Sequence, residues 1–209
     1  GVSEEEADTA PLPQIDPARA TEVIVGFIRE QMAQAGFERL VIGLSGGVDS
    51  GTVAYLAARA IGAENLLAVR MPYRTSSEAS ETDAMRVVDD LGCRTERVDI
   101  TPMVEPMLAL IDDDDPAALN VRRGNVMARQ RMIVLYDRSA AEDALVIGTS
   151  NKTEGLLGYG TLHGDMAAAL APIGDLYKTQ LRAVARELGV PEEVVSKPPS
   201  ADLWPGQTD

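Results

Sequence analysis

Apolar residues follow two alternating rhythms along this chain. Short consecutive runs, Leu40-Val41-Ile42-Gly43-Leu44 and Leu66-Leu67-Ala68-Val69-Arg70-Met71, alternate with stretches where apolar positions recur every three or four residues. The runs read as strands buried on both faces and the stretches as amphipathic helices. A first helix is predicted from Asp16-Pro17, a capping acid followed by a proline suited to the first turn. It places Ala20, Val23, Ile24, Phe27, Ile28 and Met32 on one stripe and stops at Gly36. Further helices are predicted over 51–60, ending at Gly62, and over 78–91, ending at Gly92. Others run from Thr101-Pro102 to about Ile111 and along a long segment spanning 122–136. A last one reaches Leu188 before Gly189 and Pro191. The third and fourth strands fit Thr95–Ile100 and Ala144–Thr149.

Strands separated by helices of this length make β-α-β units, hence a parallel sheet with right-handed crossovers. Ligands of such sheets lie at the carboxyl ends of strands, near a switch in strand order. The first strand runs straight into Leu44-Ser45-Gly46-Gly47-Val48-Asp49-Ser50 and then a helix. Two glycines allow a positive φ and close approach of an anion to backbone N–H groups, and the helix start adds its unpaired N–H groups and dipole. Ser45 and Ser50 add hydroxyls. Asp49 adds a carboxylate that would repel a phosphate without a divalent metal between them. The stretch is neither the Gly-x-x-x-x-Gly-Lys-Ser/Thr phosphate loop nor the Gly-x-Gly-x-x-Gly dinucleotide fingerprint.

Composition narrows the partners. The 209 residues carry a net charge of −14, which argues against a generic nucleic-acid or anionic-membrane binder. No apolar run is long enough for a membrane-spanning helix, and the single cysteine, Cys93, suits a reducing, cytoplasmic setting. Residues 1–15 read as an acidic lead-in, disordered or extended, and 16–209 as a single domain that stops abruptly at Gln207-Thr208-Asp209, as if a C-terminal segment should follow. In so acidic a chain, basic residues are informative. Arg70 ends the second strand and either contacts a base or serves the surface. Arg122, Arg123, Arg129 and Arg131 lie within ten residues, with Asn125 one turn from Arg129. Asp112–Asp115 read as a solvated loop. A second polar cluster, Thr149-Ser150-Asn151-Lys152-Thr153-Glu154, follows the fourth strand and should face the glycine turn, where Thr149 and Glu154 complete a magnesium shell begun by Asp49. Lys178 sits at a helix start, where a cation is disfavoured unless an anion lies between. Cys93, at a helix-to-strand turn far in sequence from the sole histidine, His163, is not read as a glutaminase nucleophile.

Taken together these residues resemble the ammonia-dependent NAD synthetases, within the ATP pyrophosphatases. The pieces are Ser45–Ser50, Arg123–Arg129, Gly148–Glu154, Gly158–Thr161, Gly164-Asp165, Asp175–Gln180 and Lys197–Leu203, in that order. The resemblance implies an α/β three-layer sandwich, a five-stranded parallel sheet flanked by helices, Rossmann-like and similar to the adenine nucleotide alpha-hydrolases. It implies a homodimer with deamido-NAD across the interface. The activity implied is amidation of deamido-NAD with ammonia through an adenylate, with ATP as co-substrate and Mg2+ as cofactor, yielding NAD, AMP and pyrophosphate. By the same resemblance Gly43, Leu44, Ser45, Gly46, Gly47, Val48, Ser50, Arg70, Thr149, Lys178 and Ser200 bind ATP. Asp49 and Glu154 bind the metal, and Asn125, Arg129 and Asp165 contact deamido-NAD. Asp49, Lys178 and Asp165 are the expected catalytic set, Asp165 as the base for ammonium. Two departures stand out: no second acid follows Asp165 through Ala169, and His163 occupies a position where another residue is common. Other readings are a tRNA-thiolating or GMP-forming relative, or a nucleotide-binding regulatory protein without turnover.

Overall fold

A computed structural model of the chain describes residues 14–152, 161–164 and 166–198. Helix α1, Pro17–Ala35, is capped by Asp16, whose carboxylate accepts from the Ala18 and Arg19 N–H groups, and ends on Gly36 in the left-handed region at φ 74°. Strand β1, Arg39–Gly43, leads into α2, Val48–Ile61. A short 3-10 turn precedes β2, Leu66–Arg70. Helix α3, Glu78–Leu91, capped by Ser77, precedes β3, Arg94–Arg97. Helices α4, Thr101–Leu108, and α5, Pro116–Glu142, come before β4, Ala144–Val146. Helix α6, Lys178–Leu188, and the single turn α7, Glu192–Val195, follow.

The four strands pair in parallel in the order β3-β2-β1-β4. Alternation along each strand sends side chains to opposite faces. Leu40, Ile42, Leu66 and Ala68 join a core with α1, α2, α3, α6 and α7. Val41, Leu67 and Val69 join a second core with α4 and α5. Both faces are therefore covered, which is why the central strands are apolar throughout. Edge strand β3 is the exception: Arg-Thr-Glu-Arg is mostly exposed, and a charged edge resists pairing with another chain. The expected three layers and parallel sheet are present. The fifth strand appears among the described residues only as a parallel bridge between Ile147 and Leu170, with the Gly148 N–H donating to the Leu170 carbonyl at 2.7 Å.

Several local expectations shift, among them β3, which spans Arg94–Arg97 rather than 95–100. Val23 is 64% exposed and Phe27 39%; the buried stripe of α1 is Thr21, Ile24, Val25, Ile28 and Met32. Helix α1 has apolar residues on two faces, and packing on α2 and α6 selects the one carrying Val25. Helix α5 begins at Pro116, not near 122, because Asp115 caps it and accepts from the Ala117 N–H at 2.9 Å. Asp113 accepts from the Asp115 N–H and pairs with Arg122 at 3.2 Å, so the acidic run is a helix-start structure rather than an unengaged loop. Strand β4 is half its expected length.

Candidate active site

The switch in strand order falls between β1 and β4: the chain steps outward from β1 to β2 to β3, then returns to β1's other side. The loops leaving β1 and β4 border this point, where parallel sheets bind ligands. The loop after β1 is the glycine turn. Gly46 has φ 81°, a conformation costly for any residue with a Cβ. Gly47 precedes α2 in extended conformation, and no side chain caps the helix. Its first N–H groups are therefore left to bind something from outside, and the dipole makes that partner an anion.

The two serines of the turn divide their duties. Ser50 is buried; its Oγ accepts from the Ser45 N–H at 3.1 Å, lies 3.0 Å from Ser45 Oγ, and donates to the Gly47 carbonyl at 3.3 Å. It holds the turn's shape from inside. Ser45 is exposed, and its Oγ accepts from the Gly47 N–H at 3.3 Å. Val48, buried, anchors the helix start in the core, and Leu44 is fixed by its N–H to the Val69 carbonyl at 2.9 Å.

Asp49, in the first turn of α2, meets groups from far along the chain. Lys178 Nζ, at the start of α6, donates to Asp49 Oδ2. Asn151 Nδ2 donates to Asp49 Oδ1 at 2.9 Å. Lys178 and Asp49 side chains are 19% and 18% exposed. Asn151, buried in the loop after β4, was not singled out in the sequence. The available signal was an amide within the polar cluster at a strand's carboxyl end. Thr149 is half-buried in that same loop. Glu154, Asp165 and Ser200, the other expected site residues, lie outside the described residues.

Arg70, at the carboxyl end of β2, is engaged by its own neighbours. It pairs with Glu81 of α3 and its Nε donates to Thr95 Oγ1 at 3.2 Å. Glu81 also faces Arg97 at 3.6 Å. Asn125 and Arg129 hold one turn of chain. Asn125 Oδ1 accepts from Thr161 Oγ1 at 2.9 Å, and Arg129 Nε donates to the Leu162 carbonyl at 3.2 Å. Gly164 closes the turn so tightly on α5 that a Cβ there would stand 3.1 Å from Ala128 Cβ. His163 within it has φ 60°. Arg131 Nε donates to the Met71 carbonyl at 3.0 Å, tying α5 to the end of β2. Cys93 is buried, and burial pushes its thiol above its ordinary range, which suits an inert side chain.

The donor set fits a hard divalent cation. Magnesium takes one or two carboxylates and leaves its remaining positions to water and phosphate oxygens, so the Asp49 carboxylate is adequate on the protein side. Among the described residues no three acids, cysteines or histidines are placed together to hold a metal ion, and such a site needs none.

The family described as NAD synthase matches residues 20–209. The chain belongs to the NAD synthase family. It is 57% identical over 192 residues to an NH(3)-dependent NAD(+) synthetase of Chlorobium phaeobacteroides, covering 92% of this chain and 68% of that relative. Among solved structures it resembles an NMN synthetase from Francisella tularensis, with TM-score 0.86 and 33% identity over 94% of this chain and 80% of that one. An NH3-dependent NAD synthetase from Campylobacter jejuni, in complex with nitrate, superposes with TM-score 0.80 at 40% identity, over 88% of this chain and 78% of that one. The parallel sheet flanked by helices is thus the NAD synthase architecture.

Proposed function

We propose that the Ser45–Ser50 turn, Asp49 and Lys178 form the ATP site of this NAD synthase. The chain is a ligase that amidates deamido-NAD with ammonia at the expense of ATP, giving NAD. A carboxylate is a poor acyl donor because its leaving group would be oxide. In the proposed first step the nicotinate carboxylate oxygen attacks the α-phosphorus of ATP, and the bond to pyrophosphate breaks. Ammonia then attacks the carbonyl carbon of the acyl adenylate; AMP leaves with the C–O electron pair, and one proton is lost from nitrogen. Asp165 is our candidate to take it.

Both substrates are polyanions meeting on a chain of net charge −14, so the first step depends on local positive potential. The turn amides and the start of α2 supply part of it, and Lys178 a full charge. Magnesium, held by Asp49 and Glu154 with Thr149 close by, would offset phosphate charge at the reacting centre. Ser200 is assigned to the pyrophosphate end and Arg70 to the adenosine side. Asn125 and Arg129 are assigned to deamido-NAD through the turn they hold. With little acid–base chemistry to do, most of the acceleration comes from keeping carboxylate and α-phosphate in line.

A homodimer completes the reading. Met103, Met107 and Leu110 on and just after α4, and Val121, Ile133 and Tyr136 on α5, are large and exposed on two helices that pack together. That much apolar surface on adjoining elements supports a partner copy there. Introducing charge as Met107→Glu with Leu110→Glu should yield monomer in analytical ultracentrifugation; an unchanged dimer would remove this face as the interface. No described helix is long and apolar enough to cross a membrane, and we place the protein in the cytoplasm.

The observation that carries the proposal is the meeting of Asp49 and Lys178, 129 residues apart, at the mouth of the glycine turn. The test is direct: incubate the chain with deamido-NAD, ATP, magnesium and ammonium. NAD and pyrophosphate should form in equal amounts, with glutamine a poor substitute for ammonium. Nicotinate mononucleotide run alongside shows whether the smaller acid serves too. ATP binding without either product would favour a regulatory nucleotide-binding role.

A further inference from the structure

The glycine turn is seated against α3 by a contact the reaction does not use directly. A Cβ on Gly46 would stand 2.1 Å from the Ser80 carbonyl oxygen, so the backbone of the turn rests on the first turn of α3. Any movement of that helix start displaces the amides that face the phosphates. The helix start is itself held from a third place in the chain. Lys197, just beyond α7, donates from Nζ to Ser80 Oγ and to Asp83 Oδ2, both at 3.1 Å. Ser80 and Asp83 are buried. The network continues on both sides: Ser77 Oγ donates to Ser80 Oγ at 2.9 Å and accepts from the Ser80 N–H at 3.1 Å. Arg86 pairs with the other oxygen of Asp83 at 3.2 Å.

A lysine this well covered, its side chain 23% exposed, is not a solvated surface charge. Its carboxylate partner, 11% exposed, is costly to leave unpaired. Two bonds from one ammonium to residues three apart on α3 fix the helix's rotation as well as its approach.

We propose that Lys197 is a positioning residue for ATP: by bridging Ser80 and Asp83 it sets α3 against Gly46 and so holds the phosphate turn in its binding geometry. This rests on the ATP-site reading above. Lys197 acts through α3 and touches no substrate. Removing it lets the turn relax, and small displacements of positioned groups have large effects on rate.

The experiment compares Lys197→Met, Lys197→Arg, Asp83→Asn and Ser80→Ala with the parent chain. KM is measured separately for ATP and for deamido-NAD, and ATP binding by calorimetry with magnesium. Lys197→Met should raise the KM for ATP tenfold or more and leave that for deamido-NAD within twofold. Lys197→Arg should recover most of the loss. Asp83→Asn should reproduce the ATP defect, and the Lys197→Met/Asp83→Asn pair should be no worse than Lys197→Met alone, because both act on one contact. Ser80→Ala, which removes the lysine's bond to Ser80 and the bond from Ser77 Oγ but keeps the Lys197–Asp83 charge pair, should raise the KM for ATP two- to threefold and carries the test if Lys197→Met fails to fold. An unchanged ATP KM in Asp83→Asn would overturn the proposal, since Lys197 would then act on the nucleotide itself. Equal changes in both KM values, or a lower Tm with neither changed, would also overturn it. Calorimetry reads the contact without turnover, so a parent chain that binds ATP but forms no NAD refutes the amidation and leaves this inference under test.

Discussion

Replacing Lys178 by methionine separates a catalytic cation from an ordinary salt bridge. The side chain is about four-fifths covered, as is that of its partner Asp49, so the ammonium works at an effective dielectric well below that of water. At about 4 Å and an effective dielectric of about 20, two unit charges interact by about 4 kcal/mol. Only the part that grows as charge moves onto the departing pyrophosphate accelerates the step, so Lys178→Met should lose about 2.7–4 kcal/mol of transition-state stabilisation, a ~10²–10³-fold fall in kcat. Stability should change far less. Asp49 keeps its bond from Asn151 and its place in the first turn of α2, so the loss of the pair should be about 1 kcal/mol, a shift of a few degrees in Tm. The assay is pyrophosphate release at saturating ammonium and deamido-NAD, with thermal unfolding on the same samples. Arginine should rescue poorly, because a planar fork does not replace a compact charge at the same reach. A variant that unfolds several degrees earlier yet turns over within threefold of the parent would refute the reasoning and leave Lys178 a structural ion pair.

Asn151→Ala should lower kcat about tenfold and raise the magnesium needed for half-maximal rate, since one oxygen of Asp49 loses its orienting donor; an unchanged magnesium titration would show that the amide orients nothing. The two turn serines should split: Ser50→Ala should cost about 1–2 kcal/mol in urea unfolding because its hydroxyl is buried among three partners, whereas Ser45→Ala should spare stability and raise the KM for ATP. Arg186 and the Ser196 hydroxyl hold the Glu192 carboxyl down from 4.5 to about 2, so this contact contributes stability above the unfolded value and loses it as pH falls toward 2. Glu192→Gln should therefore lower Tm at pH 7, with the difference closing below pH 4; a constant difference across that range would show that the linkage lies elsewhere.

The capping signals could be read residue by residue. Asp16-Pro17 opens α1, and Gly36, Gly92 and Gly189 end helices in the left-handed region. The same acid–proline signal stands at Asp115-Pro116, where three preceding acids give the stretch the look of a solvated loop. Arg70 was open to two readings. The structure engages it with Glu81 and Thr95, contacts that depend on the pairing of β2 with β3. Asn125 and Arg129 were expected to face a ligand; half-buried Asn125 and exposed Arg129 also hold the 161–164 turn against α5, a contact between segments more than thirty residues apart.

What the amino-acid order determined by itself is local: element boundaries set by caps and glycines, strands set by apolar runs, and a tight strand-to-helix turn set by two glycines before a helix. Each depends on residues within a few positions of one another, where sterics and backbone hydrogen bonding decide the outcome. Tertiary structure alone decided which of the two apolar faces of α1 is buried, that Ser50 turns inward while Ser45 stays exposed, and that Asn151 of the loop after β4 and Lys178 at the start of α6 both bond to Asp49. Those outcomes follow from strand order and from which helices share a layer, and a contact spanning a hundred residues leaves no periodicity along the chain to read.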